Sequence, residues 1–199
     1  MNILTDALPK TVQIGGKMYP IETDFRVWVS FELCFQKGEH TFDVLTPCFP
    51  DGEIPNQNAD DIAAAVIDFY CCGKTGEEKK KPTKSNKQAY SFDVDNSAIF
   101  ADFWNYYNID LSQEGLHWWA FRSLMEGLPE KSEFKQRIYY RTCELKGMHK
   151  KERERIMKIR SMIEIKKDEN TKVTLEERNA QMLEYVAKRA KETGGGKNG

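Results

Sequence analysis

Between residues 92 and 147 large apolar side chains return at helical spacing three times, and residues that start or stop a helix bracket each return. Asp95 leads into Ile99, Phe100, Phe103, Trp104 and Tyr107, and residues 108–110 form a corner. Ser112 leads into Leu116, Trp119 and Leu124 and stops at Gly127. Pro129 and Ser132 lead into Phe134, Ile138 and Cys143, through about Lys146, and stop at Gly147. Three amphipathic helices joined by short corners bury their apolar stripes against one another, so this stretch points to a helical bundle. The 199 residues, 40% hydrophobic, supply one ordinary core or two small ones.

Upstream the signals are mixed. Residues 10–21 alternate apolar and polar positions on either side of Gly15-Gly16, which predicts two short strands and a tight turn. A lone hairpin is marginal, so it needs support. The next segment offers it: Asp24 caps a predicted helix carrying Phe25, Trp28, Val29 and Leu33, with Gly38 as its end. Residues 43–49 predict one helical turn, and Pro50, Gly52 and Pro55 then predict a loop. Asn58 caps a helix over 59–72 with Ile62, Val66, Phe69 and Tyr70 inward and Gly73 as terminator. Trp28, Phe103, Trp119 and Phe134 are expected in packed core.

Charge divides the chain. Residues 1–130 carry 11 basic and 20 acidic side chains, and residues 131–199 carry 19 and 11, although the whole chain is only −1. Residues 74–89 lack large apolar side chains and read as a flexible basic loop. Beyond Gly147 apolar residues thin out to Ile156, Ile159 and Ile163 among charges. Thr174 with Glu177 forms a capping box for a last helix to about Lys191, and a glycine-rich tail follows. The expected fold is mainly α, a helical bundle with a small N-terminal β-hairpin and an extended charged C-terminal helical region. The expected division is 1–147, interrupted by the loop at 74–89, and 148–199.

The chemistry expected of such a chain is binding. Five cysteines, two of them adjacent at Cys71 and Cys72, suit neither a disulfide framework nor zinc spacing and read as reduced, mostly buried thiols. His40, His117 and His149 lack ligand-spaced partners, and His117 reads as a hydrogen-bonded structural imidazole. Asp60-Asp61 and Glu176-Glu177 complement helix dipoles, and no phosphate loop or nucleophile motif occurs. No catalytic, cofactor-binding or metal residue is expected, and the chain is not expected to be an enzyme. Without an apolar run of about 18 residues or a signal core, a cytoplasmic protein is expected.

Trp118 and Trp119 point about 100° apart on a helix, so at most one is central to a core and the other lies near its edge or at a partner surface. Residues 146–167 are strongly basic, but Glu152, Glu154 and Glu164 interrupt them and no aromatic side chain is present. That favours a salt-bridged or docking helix over a nucleic-acid reader. The candidate partner-binding residues are thus Trp118, Trp119, Lys150, Lys151, Arg153, Arg155, Lys158 and Arg160.

Several strings occur together in order. They are Asn2-Ile-Leu-Thr-Asp-Ala-Leu-Pro9, Tyr19-Pro-Ile-Glu-Thr-Asp-Phe-Arg-Val-Trp28, and Asp93-Val-Asp95 leading to Ile99-Phe-Ala-Asp-Phe103. Tyr107-Asn-Ile-Asp-Leu111, Leu116-His-Trp-Trp-Ala-Phe-Arg-Ser-Leu124 and Phe134-Lys-Gln-Arg-Ile-Tyr-Tyr-Arg141 follow. Over about residues 1–167 the chain resembles the bacteriophage gene-product-fifteen family. The resemblance implies a tail-morphogenesis protein of siphophages infecting low-GC Gram-positive bacteria, encoded between the tail tube and tape measure proteins. It implies a tail-assembly-chaperone component whose partners are the tape measure protein and the tail tube protein. Residues 74–89 and the helix after Thr174 depart from the family's pattern. Self-association remains open from the charge split. A structural tail-completion or connector subunit and a nucleic-acid-binding or regulatory protein are the competing readings.

Overall fold

A computed structural model describes residues 2–36, 42–74 and 88–165. The expected loop at 74–89, for nearly all its length, the helix expected after Thr174 and the glycine-rich tail lie outside the described residues. The chain is mainly helical with a small two-stranded hairpin, as the sequence predicts. Its contacts gather into two units: one takes the described residues up to 74 together with 116–121, the other residues 88–115 and 122–165.

In the first unit β1 (Thr11–Ile14) and β2 (Lys17–Pro20) pair antiparallel, Val12 opposite Tyr19 and Ile14 opposite Lys17. Gly15 and Gly16 turn the chain at φ 55° and 80°, left-handed values that a side chain would resist. Helix α1 (Phe25–Gln36) follows Asp24, whose Oδ1 accepts the Arg26 amide at 2.8 Å. A 3-10 stretch (Phe42–Cys48) and a short turn (Pro50–Gly52) lead to α2 (Ala59–Tyr70). Asn58 caps α2 by accepting the Asp60 amide, as expected. Val12, Ile14, Trp28, Ile62, Val66 and Phe69 are buried between these elements.

The second unit holds α3 (Asn96–Tyr107), α5 (Glu133–Thr142), α6 (Lys150–Met162) and the later part of α4 (Trp118–Gly127). Ile99, Phe103, Phe134 and Ile156 are among its buried apolar residues. Asn108 ends α3 in the left-handed conformation at φ 54°, which asparagine tolerates better than most residues. The N-terminus of α5 is capped twice. Ser132 accepts the Lys135 amide, and buried Asp102 of α3 accepts the amides of Glu133 and Phe134 at 3.2 and 2.8 Å. A carboxylate there meets both the bare N–H groups and the positive helix end.

Several expectations need correction. The third helix of the 92–147 run ends at Thr142 rather than about Lys146, because Cys143 leaves the helical conformation at φ -56° and ψ 144°. The second helix of the 92–147 run starts at Trp118 rather than after Ser112, because Asp24 and His117 form a β-bridge. The Phe25 amide donates to Leu116 O and the Trp118 amide to Thr23 O, so residues 116–117 are drawn into extended pairing. Phe100 and Trp104 face outward, 40% and 50% exposed, while Ile99 and Phe103 face inward. The cysteines are all thiols, but only Cys48 is fully buried; Cys34, Cys71, Cys72 and Cys143 are partly exposed. Burial pushes the Cys48 thiol far above its ordinary range, which keeps it protonated and inert.

Candidate functional site

The tryptophan pair resolves into one core residue and one edge residue, with the roles opposite to the expected core assignment. Trp118 is wholly buried and Trp119 partly exposed. Their indole N–H groups donate to successive carbonyls at the end of α2, Trp118 to Tyr70 O and Trp119 to Phe69 O, each at 2.8 Å. Those carbonyls belong to the last turn, where the regular helical donors run out, and Phe69 O also accepts the Cys72 amide at 3.0 Å. Trp118 stacks on Tyr70 and Phe121 at 5.5 and 5.9 Å and lies 6.4 Å from Trp28, so it is central to the aromatic core of the first unit. It is not available to a partner.

His117 fixes this arrangement. Its Nδ1 accepts the Trp119 amide at 3.1 Å, so that nitrogen carries a lone pair; its Nε2 therefore bears the proton and donates to Pro9 O at 2.8 Å. The imidazole acts as a cap for α4 and a clip for the N-terminal segment. Burial, with Lys10 nearby, lowers its pKa from 6.5 despite the bond to Pro9. A depressed histidine contributes its stability in full above the unfolded value of about 6.5, and that contribution is lost as pH falls through the lower folded value. Denaturant midpoints of the parent are expected to drop between pH 7.5 and 5.5, and this drop should be smaller in His117→Gln. Equal pH dependence of the two proteins would contradict the neutral clip.

Trp119 contributes to the wall of an open cleft of about 610 Å3 in the first unit, together with Pro9, β1, the glycine turn and one stripe of α2. Asp61, Ala64, Ala65 and Asp68 form that stripe at spacings of three, four and seven.

The basic candidates lie on α6. Lys150, Lys151, Arg153, Arg155 and Lys158 are exposed, with Glu152 and Glu154 among them. Ile156 is buried, so the helix is anchored on one side and open to solvent on the other. Arg160 stands apart from this row. Its Nε donates to Tyr140 O at 2.5 Å, and its Nη2 donates to Cys143 O, closing the C-terminus of α5. Its role is architectural.

Sequence reasoning missed two features. One is the exposed pair Phe100 and Trp104, four residues apart on α3, which has the aromatic character of a binding surface. The other is a charged cluster inside the second unit. Asp95 stands at the N-cap position of α3, but its side chain does not cap the helix. Instead it receives Arg141 at 2.6 and 2.8 Å, Arg137 at 3.2 Å and the Ser91 amide at 3.0 Å. Burial alone would raise the Asp95 pKa; the arginine and amide hydrogen bonds outweigh it and hold the carboxyl below the usual range. Arg141 also donates to Ile163 O and Ala89 O.

Among the described residues no cluster of His, Cys, Asp and Glu fits a metal ion, and no helix is long and apolar enough to cross a membrane. No curated protein and no solved structure matches the chain. A family model described as Bacteriophage Gp15 protein matches residues 4–165, which takes in both units from the N-terminal segment to the end of α6. On that match the chain belongs to the bacteriophage Gp15 protein family.

Proposed function

We propose that this phage protein is a non-enzymatic, chaperone-like tail-assembly factor of siphophages that binds the tape measure protein, the tail tube protein, or both, in the host cytoplasm. The observation that carries the reading is α6: buried Ile156 and the Arg160 cap fix the helix, while Lys150, Lys151, Arg153, Arg155 and Lys158 are held toward solvent. A rigid helix with a cationic face suits an acidic or helical protein partner, and interspersed Glu152 and Glu154 suit it less to nucleic acid. Trp104 and Phe100 offer a second, aromatic contact. The most strongly held ionisable groups are engaged in structure, Asp95 by two arginines and His117 at both ring nitrogens, which supports a binding rather than catalytic role.

A chaperone leaves the particle it helps to build, whereas a tail-completion or connector subunit stays in it. Quantitative mass spectrometry of infected cells and of purified particles separates these outcomes. The expected result is abundance in cells and absence from finished virions. Stoichiometric retention in particles would replace this reading with the structural one.

A further inference from the structure

The hairpin has an open edge. With a two-residue turn, Ile14 and Lys17 form a hydrogen-bonded pair, and the pattern alternates along the register to Val12 with Tyr19 and on to Lys10, whose carbonyl accepts the Ile21 amide at 3.0 Å. Pro20 falls opposite Thr11 at a pair that needs no N–H, as this alternation requires. The backbone N–H and C=O of Thr11 and Gln13 therefore point away from β2. The cleft is lined by Thr11, Val12 and Gln13. Successive strand residues point to opposite faces, so a cleft touching all three runs along the strand's edge.

The same cleft is lined by one stripe of α2, with Asp61 and Asp68 exposed and small Ala64 and Ala65 between them. An added strand lies about 4.8 Å from its neighbour, and alanines leave room where larger side chains would fill it. Residues 1–78 carry 13 acidic and 5 basic side chains, so the field around the cleft favours a cationic occupant. We propose that this edge docks an extended, lysine- or arginine-bearing segment of a partner protein, which adds to β1 as a third strand and places its cations beside Asp61 and Asp68. The outward amides of Thr11 and Gln13 supply the main-chain bonds, and Trp119 covers the segment's apolar side chains. This surface shares no residue with α6 and does not depend on the tail-assembly reading.

The test uses the full chain, isotopically labelled, and a short capped peptide alternating lysine and valine, with its glutamate and valine counterpart as control. Binding of the lysine peptide is expected to slow hydrogen exchange at the Thr11 and Gln13 amides about tenfold or more and to shift the Trp119 indole signal. Gln13→Pro removes an outward N–H without touching the ladder, so it should abolish binding while the Val12 and Ile14 amide signals persist. Asp61→Asn with Asp68→Asn should weaken binding about fivefold and flatten its salt dependence, and this holds as a test even if the proline variant fails to fold. The proposal is overturned if the lysine peptide leaves Thr11 and Gln13 unchanged, or if the glutamate peptide binds equally. It is also overturned if protection of these amides rises with protein concentration alone, since a second copy then fills the edge.

Discussion

Asp95→Ala is expected to unfold the second unit, with a loss of about 3–5 kcal/mol. The carboxylate has no exposed surface, and it is the shared acceptor of Arg141 and Arg137. Removing it leaves the Arg141 guanidinium, 6% exposed, without a counter-charge in a site that excludes water. A loss of that size is a large fraction of the 5–15 kcal/mol that typically holds a domain together. Arg141→Lys should also destabilise, though less, because an ammonium keeps the charge but cannot reproduce the two parallel bonds to Asp95. The measurement is hydrogen exchange at α3 and α5 amides, which reports this unit alone. Protection in Asp95→Ala equal to the parent would contradict the arrangement. Because the folded pKa of Asp95 is depressed, its contribution is present above about 3.9 and is lost as pH falls through the lower folded value, so acid should open this unit's arginine cluster.

Trp118→Ala should cost about 3–5 kcal/mol, as deletion of a fully enclosed indole does. It removes a ring stacked on Tyr70 and Phe121 and the donor to Tyr70 O. Trp119→Ala removes a partly exposed ring and one donor to Phe69 O, so about 1–2 kcal/mol is expected. Chemical denaturation of the two variants side by side gives the order. If Trp119→Ala were the more damaging, the placement of the pair would be reversed.

That pair shows where sequence periodicity stops being informative. A 100° rotation between neighbours establishes that both cannot be central, but choosing between them needs the start of α4. The start is set by the bridge between Asp24 and His117, a pairing across more than ninety residues that local spacing does not encode. The same limit applies at 99, 100, 103 and 104: four large apolar residues occupy two adjacent stripes, and only packing decides that Ile99 and Phe103 face in. Caps were legible where the side chain serves its own helix, as at Asn58 and Ser132. They were not legible where it serves another, as Asp102 does for α5, or where it leaves the cap role, as Asp95 does. On α6 the spacing identifies the basic row, and the exception within it, Arg160, is decided by the carbonyls that α5 leaves unpaired.

The central claim, that the chain works by holding a tail protein through α6, is tested most directly by binding of the purified protein to the tape measure and tail tube proteins of the same phage. The comparison is the parent against a variant with Lys151, Arg155 and Lys158 changed to glutamate. These three side chains are exposed, so the variant should keep the parent's melting behaviour. The account predicts that the parent binds at least one of the two proteins, and that the variant loses about tenfold or more in affinity. Failure of the parent to bind either protein, or unchanged binding by the folded variant, would contradict it.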